Sequence, residues 1–148
     1  PSKRGQELLD AAGSGNYREA LSLLRRGVSV HVRAADGRTP LIHAAMYGQA
    51  KVMELLIRRG ARLEDHDRDG NTALLIATDA GQVPAVRLLL DRGANRRARN
   101  HYGSTALWLT GRDEHPGGAA EYRVIRRLLL ARSGKHRRGW KRAPAGHD

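Results

Sequence analysis

Two kinds of short apolar segment alternate along the chain. A segment rich in alanine, such as TPLIHAAMYG at 39–48, is followed by one rich in leucine, such as AKVMELLIRRG at 50–60. Within each segment apolar residues recur every three or four positions, and a glycine closes the run, as is typical of a helix and its C-terminus. The pattern predicts pairs of short helices, neither of which is long enough to be stable alone.

The helix pairs recur with a constant period, and several residue types keep that spacing. Because each pair lacks a core of its own, neighbouring pairs must stack, with the alanines of the first helices against the leucines of the second. The sequence therefore predicts one domain built as a linear array. The residues in register include Gly37, Gly70 and Gly103, then Thr39, Thr72 and Thr105, then Leu8, Leu41, Leu74 and Leu107.

The segments DGRTPLIHAAMYG and DGNTALLIATDAG resemble the ankyrin repeat in their period, their Gly-x-Thr-Pro-Leu opening and the Leu-Leu-x-x-x-Gly-Ala ending that follows. The resemblance covers about residues 5–134. It implies an all-α ankyrin-repeat solenoid of stacked helix-turn-helix units joined by β-hairpin loops. The predicted repeats are 1–33, 34–66, 67–99 and 100–134, followed by a basic C-terminal tail at 135–148.

Three aspartates at alternate positions, Asp65, Asp67 and Asp69, precede Gly70 and share their spacing with a helix-loop-helix calcium loop. Such a loop needs a bidentate glutamate at its twelfth position, where this chain has Ile76. The acidic trio occurs in one repeat only, and the glycine is explained by the repeat turn. We therefore interpret the segment as an ordinary repeat hairpin and expect no metal.

The fourth repeat is longer than the others, since Gly134 lies further beyond Gly93 than Gly93 lies beyond Gly60. The excess falls near residues 112–120, between its two helices, and either forms a binding feature or reflects relaxed constraint on a terminal repeat. The tail that follows contains Trp140. Two roles stay open for this residue, which are to cover the apolar edge of the last repeat or to stack on nucleic-acid bases.

The resemblance also implies a binding surface, because ankyrin proteins hold partners on a concave groove formed by the hairpin tips and the inner faces of the first helices. Transferring those positions gives a groove that mixes arginine, histidine and tyrosine with a few carboxylates, a composition that favours protein interfaces. The candidate partner-binding residues are Arg38, Met46, Tyr47, His66, Arg68, Asn71, Asp79, Arg99, His101, Tyr102, Ser104, Arg112 and Asp113.

The 27 basic and 15 acidic residues give a net charge of +12, which favours anionic partners. Five arginines recur at the predicted ends of the second helices and would form a ridge. They either offset the helix dipoles, with Glu54 pairing to Arg58 four residues later, or provide a surface for an acidic protein, a nucleic acid or a lipid headgroup. The ridge consists of Arg25, Arg26, Arg58, Arg59 and Arg92.

No catalytic motif is apparent, and the absence of cysteine excludes thiol chemistry and disulfides. We therefore predict a monomeric, non-enzymatic protein-binding module, an adaptor or a stoichiometric inhibitor, that needs no cofactor and binds a partner with acidic features. The alternative is binding to nucleic acid or another anionic surface through the ridge and tail. No apolar run is long enough to span a membrane, so we expect a soluble protein. A cytoplasmic location is favoured, and export stays open because the chain opens at Pro1.

Overall fold

A computed structural model describes residues 1–112 and 119–131, and these form eight α-helices. The centre of the predicted insertion, 113–118, and the segment 132–148, which includes the predicted tail and Trp140, lie outside the described residues. The helices are α1 (Lys3–Ser14), α2 (Tyr17–Arg25), α3 (Pro40–Met46), α4 (Ala50–Arg58), α5 (Ala73–Asp79), α6 (Val83–Asp91), α7 (Ala106–Leu109) and α8 (Ala119–Leu130).

The helices pack in two layers, as the repeat pattern predicts. The first helices of the pairs, α1, α3, α5 and α7, lie side by side, and the second helices, α2, α4, α6 and α8, form the other layer. Hairpin loops join successive pairs, with an antiparallel bridge between His66 and Thr72. This arrangement confirms the all-α architecture of stacked helix pairs.

The periodic threonines start the first helices of repeats two to four. The side-chain oxygens of Thr39, Thr72 and Thr105 accept hydrogen bonds of 3.3, 3.4 and 3.2 Å from backbone amides three residues later. Each bond satisfies a donor that the first helical turn leaves without a partner. The threonine therefore recurs because every first helix needs an N-cap.

Alanine and leucine occupy the two layers as the sequence suggests. Ala44, Ala45 and Ala77 of the first helices are fully buried, as are Leu56 and Leu89 of the second helices. The small side chains permit neighbouring first helices to approach closely, and the leucines fill the space between the layers. The result is one continuous core along the stack.

A periodic set of hydrogen bonds, which the sequence analysis did not identify, ties α1, α3 and α5 each to the following repeat. The acceptors are main-chain carbonyls at equivalent positions of successive repeats, and the donors stand at the start of the next second helix. Gln49 Nε2 donates to the Gly13 carbonyl at 3.0 Å, Gln82 Nε2 to the Met46 carbonyl at 3.0 Å, and the Tyr122 hydroxyl to the Asp79 carbonyl.

The same contacts explain why glycine follows the first helices. Gly48 has a φ of +70°, and a Cβ placed on it would lie 2.5 Å from Oε1 of Gln82. Gly48 is therefore required both for its backbone conformation and for the close approach of the next repeat.

Main-chain hydrogen bonds also join neighbouring hairpins. The Arg68 amide donates to the Asp36 carbonyl at 3.1 Å, and the His101 amide donates to the Asp69 carbonyl at 2.8 Å. The two donors occupy equivalent positions of successive repeats, and so do the two acceptors. These bonds hold the hairpins of repeats two, three and four in a fixed relation.

The predicted ion pair between Glu54 and Arg58 is wrong. The Glu54 carboxylate lies 3.6 Å from the guanidinium of Arg92, in the next repeat, and pairs with it rather than with Arg58 on its own helix. The stack brings the end of α6 beside α4, so a partner from the neighbouring repeat is within reach. Glu54 thus links two repeats.

Candidate functional site

Arg38 is held at the base of the predicted groove by three neighbours. Its Nε lies 3.5 Å from the Asp36 carboxylate and 3.7 Å from that of Asp67, while Nη1 lies 3.7 Å from the sulfur of Met46. Two successive hairpins and the end of α3 therefore meet at this guanidinium. The structure brings the predicted residues Arg38 and Met46 together.

The buried side chain of Asp67 stabilises the hairpin of the third repeat. Its side chain is 3% exposed, and Oδ1 accepts 2.9 Å hydrogen bonds from the amides of Asp69 and Asn71. Asp65 points to a different partner, the Arg33 guanidinium at 3.7 Å. The carboxylates of Asp65 and Asp67 thus have different structural partners, and within residues 1–112 and 119–131 no three metal-ligating side chains form a group.

Asn100 repeats this hairpin contact one period later. Its Oδ1 accepts hydrogen bonds of 3.0 Å from the amides of Tyr102 and Ser104, and its Nδ2 donates to Asn71 Oδ1 at 3.0 Å. Two predicted groove residues, Asn71 and Ser104, are therefore engaged in holding the hairpins.

Two tyrosines of the predicted groove are open to solvent. Tyr47 is 56% exposed, and its ring lies 3.5 Å from the position that a Cβ on Gly13 would take. Tyr102, at the tip of the fourth hairpin, is 77% exposed. Exposed tyrosines on a rigid backbone provide contact area that loses little conformational entropy on binding.

Two histidines from successive hairpins meet side by side. The rings of His66 and His101 are 5.8 Å apart in an edge-to-face arrangement. His66 Nδ1 also lies 3.0 Å from the Asp67 carbonyl. The structure therefore places these two predicted residues in one aromatic cluster.

Asp79 and Arg112 are brought together across α5 and α7, with 3.7 Å between their charged groups. The guanidinium carbon of Arg112 also lies 5.8 Å from the ring centroid of Trp108, within range of a cation–π contact. Trp108 is 58% exposed and was not among the predicted residues. Its place in the repeat period was the available signal, because it corresponds to apolar core residues in every earlier repeat.

The remaining predicted residues have different positions. Arg68 has an exposed side chain, and it joins the structure through its main-chain bond to Asp36. Arg99 Nη1 donates to the Gly103 carbonyl at 2.8 Å and so braces its own hairpin. Asp113 lies outside the described residues.

His43, on α3, adds a titratable group that the predicted set omits. Burial lowers the pKa of its imidazole below 6.5, with Asp36 opposing and Arg38 reinforcing that effect. Nε2 is buried without a hydrogen-bond partner among the described residues. The site thus favours neutral imidazole.

The arginine ridge lies in the second-helix layer. Arg25, Arg26, Arg58 and Arg59 have exposed side chains and make no ion pair with any residue in the described ranges, whereas Arg92 pairs with Glu54. Beside them an open hollow separates α2 from α4. It is lined by Tyr17, Arg18, Lys51, Glu54 and Arg58.

These features agree with the result of the family comparison. A family model described as ankyrin repeats, in three copies, matches residues 8–100, which is more than half of the chain. The chain belongs to the ankyrin repeat family. No protein of curated function gives a significant match. The α7–α8 pair lies beyond the matched range, yet it packs on α5 and α6 as a further pair.

Ankyrin repeats generally mediate protein–protein interaction, and the family is typically non-enzymatic. Among the helices of the described part of the chain, none combines the length and the hydropathy needed to cross a bilayer.

Proposed function

We propose that this protein is a monomeric, non-enzymatic interaction module, acting as an adaptor or a stoichiometric inhibitor, and that it holds an acidic partner protein on the predicted groove. The observation that carries the proposal is the exposure of Tyr47 and Tyr102, at 56% and 77%, on hairpins and helix ends that are otherwise tightly bonded. The proposal involves no catalytic step and no cofactor.

A preformed backbone supports this assignment. The hairpins are linked by the main-chain bonds from Arg68 to Asp36 and from His101 to Asp69, so their relative positions are fixed before a partner arrives. A surface that is already ordered loses less entropy on association, which leaves more of the contact energy as affinity.

The charge of the partner follows from the chain's own charge. At +12 the protein attracts acidic surfaces and accelerates their encounter. Within the groove Arg38 is neutralised by two aspartates, whereas the Arg68 side chain is exposed and pairs with no carboxylate in the described residues. The Arg68 side chain is therefore placed to meet a partner carboxylate.

Substitutions in the groove and on the arginine ridge test this function. The full chain, used as bait, identifies the partner by mass spectrometry, and its affinity is then compared for Arg68→Glu, Tyr47→Ala and the matched ridge variant Arg59→Glu. We expect each groove substitution to weaken binding about tenfold or more, as for interface hot spots, and Arg59→Glu to change it less than about twofold. The reverse ranking would contradict groove binding.

The second candidate is binding of nucleic acid or another anionic surface through the ridge and tail. It is favoured by the four exposed ridge arginines that lack an ion-pair partner in the described residues. In that case the logarithm of the association constant would fall linearly with the logarithm of salt concentration, as counterions return to the phosphates. A groove with aromatic anchors would lose association rate first and keep much of its affinity.

A further inference from the structure

One apolar position changes its environment only in the last repeat. Leu9, Ile42 and Leu75, which occupy equivalent positions of successive repeats, are 0%, 1% and 1% exposed because the following repeat covers each of them. Trp108 holds the same position in the fourth repeat and is 58% exposed. Trp108 therefore lies on the surface where a further repeat would stack.

The second helix of the last repeat shows the same change. The leucine triplets 88–90 and 128–130 correspond, and their central members, Leu89 and Leu129, are both buried. Leu90 is 7% exposed, whereas Leu130 is 62% exposed. Apolar side chains of both layers are thus uncovered at this end, which we call the open end and define by Tyr102, Gly103, Trp108 and Leu130.

The hairpin of the fourth repeat also has a main-chain carbonyl to which no described residue donates. The carbonyls of Asp36 and Asp69 accept amide hydrogen bonds from the next hairpin, whereas no described residue donates to the equivalent carbonyl of Tyr102. A Cβ on Gly70 would lie 2.8 Å from the amide nitrogen of His101, but one on Gly103 would meet nothing within 4 Å. Among the described residues, nothing therefore occupies this main-chain acceptor or the space beside it.

Within the described residues, one guanidinium at this end makes fewer hydrogen bonds than its counterpart in an earlier repeat. Arg33 Nη1 donates both to the Gly37 carbonyl of its own hairpin at 2.9 Å and to the His66 carbonyl of the next repeat at 2.7 Å. Arg99, two periods later, makes the first of these bonds, to Gly103, and no described residue supplies the second. Arg99 can therefore donate to an incoming carbonyl or carboxylate.

We propose that the open end is a second docking surface, which adjoins the predicted groove at Arg99 and Tyr102 and extends beyond it to Trp108 and Leu130, and that it binds an extended acidic segment of a partner protein. The segment donates a main-chain amide to the Tyr102 carbonyl, offers an oxygen acceptor to Arg99, and places an apolar side chain on Trp108. These are the contacts that the next repeat provides elsewhere in the stack. The mode is edge addition of an extended peptide, with specificity from side chains on one face.

Charge favours such a partner over the other possible occupants. Arg99 and Arg126, which lies 3.4 Å from Thr110 through its Nη1, contact no carboxylate among the described residues. A second copy of the chain would bring another +12 to this surface, and residues 132–148 contain six lysines and arginines against one acid. Both carry charge of the same sign as these arginines, whereas a chain of carboxylates would be attracted.

A labelled peptide tests the proposal on the full chain. The probe is a fluorescein-labelled dodecapeptide of alternating valine and glutamate, and the matched control has lysine for every glutamate. Fluorescence anisotropy measures the binding of both peptides to the unmodified protein and to four variants. These variants, whose folding is checked by circular dichroism, are Trp108→Ala, Arg99→Gln, Tyr47→Ala and Trp140→Ala. We expect binding of the acidic peptide only, weakened about tenfold or more by Trp108→Ala and weakened also by Arg99→Gln, and unchanged within about twofold in the other two variants.

Four results would overturn the proposal. These are no binding of the acidic peptide, equal binding of both peptides, affinity unaffected by Trp108→Ala, and binding seen only with Trp140→Ala, which would show that the chain's own terminal segment occupies the open end. A fifth result, loss of binding in Tyr47→Ala, would also overturn the proposal, because it would place the peptide in the groove. Failure of the peptide leaves the groove proposal intact, because that rests on the Arg68 and Arg59 comparison.

Discussion

At the scale of single residues, a glutamine connects neighbouring repeats at each of the first two junctions. Gln82 Nε2 donates to the Met46 carbonyl in a partly buried position. We expect Gln82→Ala to lower the free energy of unfolding by about 1 kcal/mol, the usual net value of such a bond. Gln6→Ala is the matched control, because the Gln6 side chain makes a 3.0 Å bond to Asp10 in an exposed position. Urea denaturation of both variants makes the comparison, and equal losses would contradict this role for Gln82.

Gly48, which faces Gln82, is needed for two reasons that substitutions can separate. These are its left-handed backbone conformation and the close approach of the Gln82 side chain. Gly48 and Gly60 have φ values of +70° and +96°, but a Cβ on Gly60 would have nothing within 4 Å. Both alanine variants should lose roughly 1–2 kcal/mol from the left-handed backbone. Gly48→Ala should lose about 1 kcal/mol more, since it displaces Gln82 and its hydrogen bond. That excess should vanish in Gly48→Ala with Gln82→Ala, as urea denaturation would show; additive losses would contradict the coupling.

The lowered pKa of His43 predicts that the stability of the fold depends on pH. Burial lowers its folded-state pKa below 6.5. Below pH 6.5 the unfolded chain therefore takes up a proton that the folded site still excludes, so the free energy of unfolding falls as the pH falls through that range. We expect His43→Gln to have a flatter profile than the unmodified protein between about pH 7 and pH 5. Parallel profiles in chemical denaturation would show that His43 is not the cause.

At the scale of helices, the end of α8 depends on one side chain from the preceding linker. Arg96 Nη1 donates to the carbonyls of Leu128 at 3.1 Å and Leu129 at 2.9 Å, and also to that of Ala131. These are among the last carbonyls of the helix, which have no partner within it. Val30 and Leu63 hold the same position in earlier repeats, so an apolar contact there has been replaced by a cap.

Substitution of Arg96 should therefore loosen the last repeat selectively. We expect Arg96→Ala to cost about 1–2 kcal/mol and to accelerate amide hydrogen exchange in α8 more than in α4, because repeats can open locally. Arg97→Ala is the control, since that neighbouring side chain is exposed and bonds to no described residue. Uniform acceleration along the chain would argue against a local cap.

The sequence was sufficient to predict these elements but not their contacts. Threonine caps, closing glycines and helix pairs follow from local chemistry that recurs in every full repeat. The contact between Arg38 and Met46 depends on side-chain conformations that no spacing reveals. Tyr122 takes the place of Gln49 and Gln82 only after the insertion has shifted the numbering, so the period alone fails at that position.

At the scale of the whole molecule, the repeat count sets which surfaces are exposed. Stacking buries Leu9, Ile42 and Leu75, the equivalents of Trp108, and it leaves Trp108 and Leu130 exposed in the last repeat. The same stacking holds the hairpins of the groove side by side. The sequence predicted the groove through family resemblance, whereas the open end required the burial of equivalent positions to be compared.

The central claim is that partners bind the face made by the hairpins and the ends of the first helices. Hydrogen–deuterium exchange of the full chain, with and without the partner found by affinity capture, tests it most directly. We expect new protection in residues 36–38, 46–47 and 68–71, with little change at 25–26 and 58–59. Protection confined to the arginine ends of the second helices would contradict the claim and assign binding to the ridge.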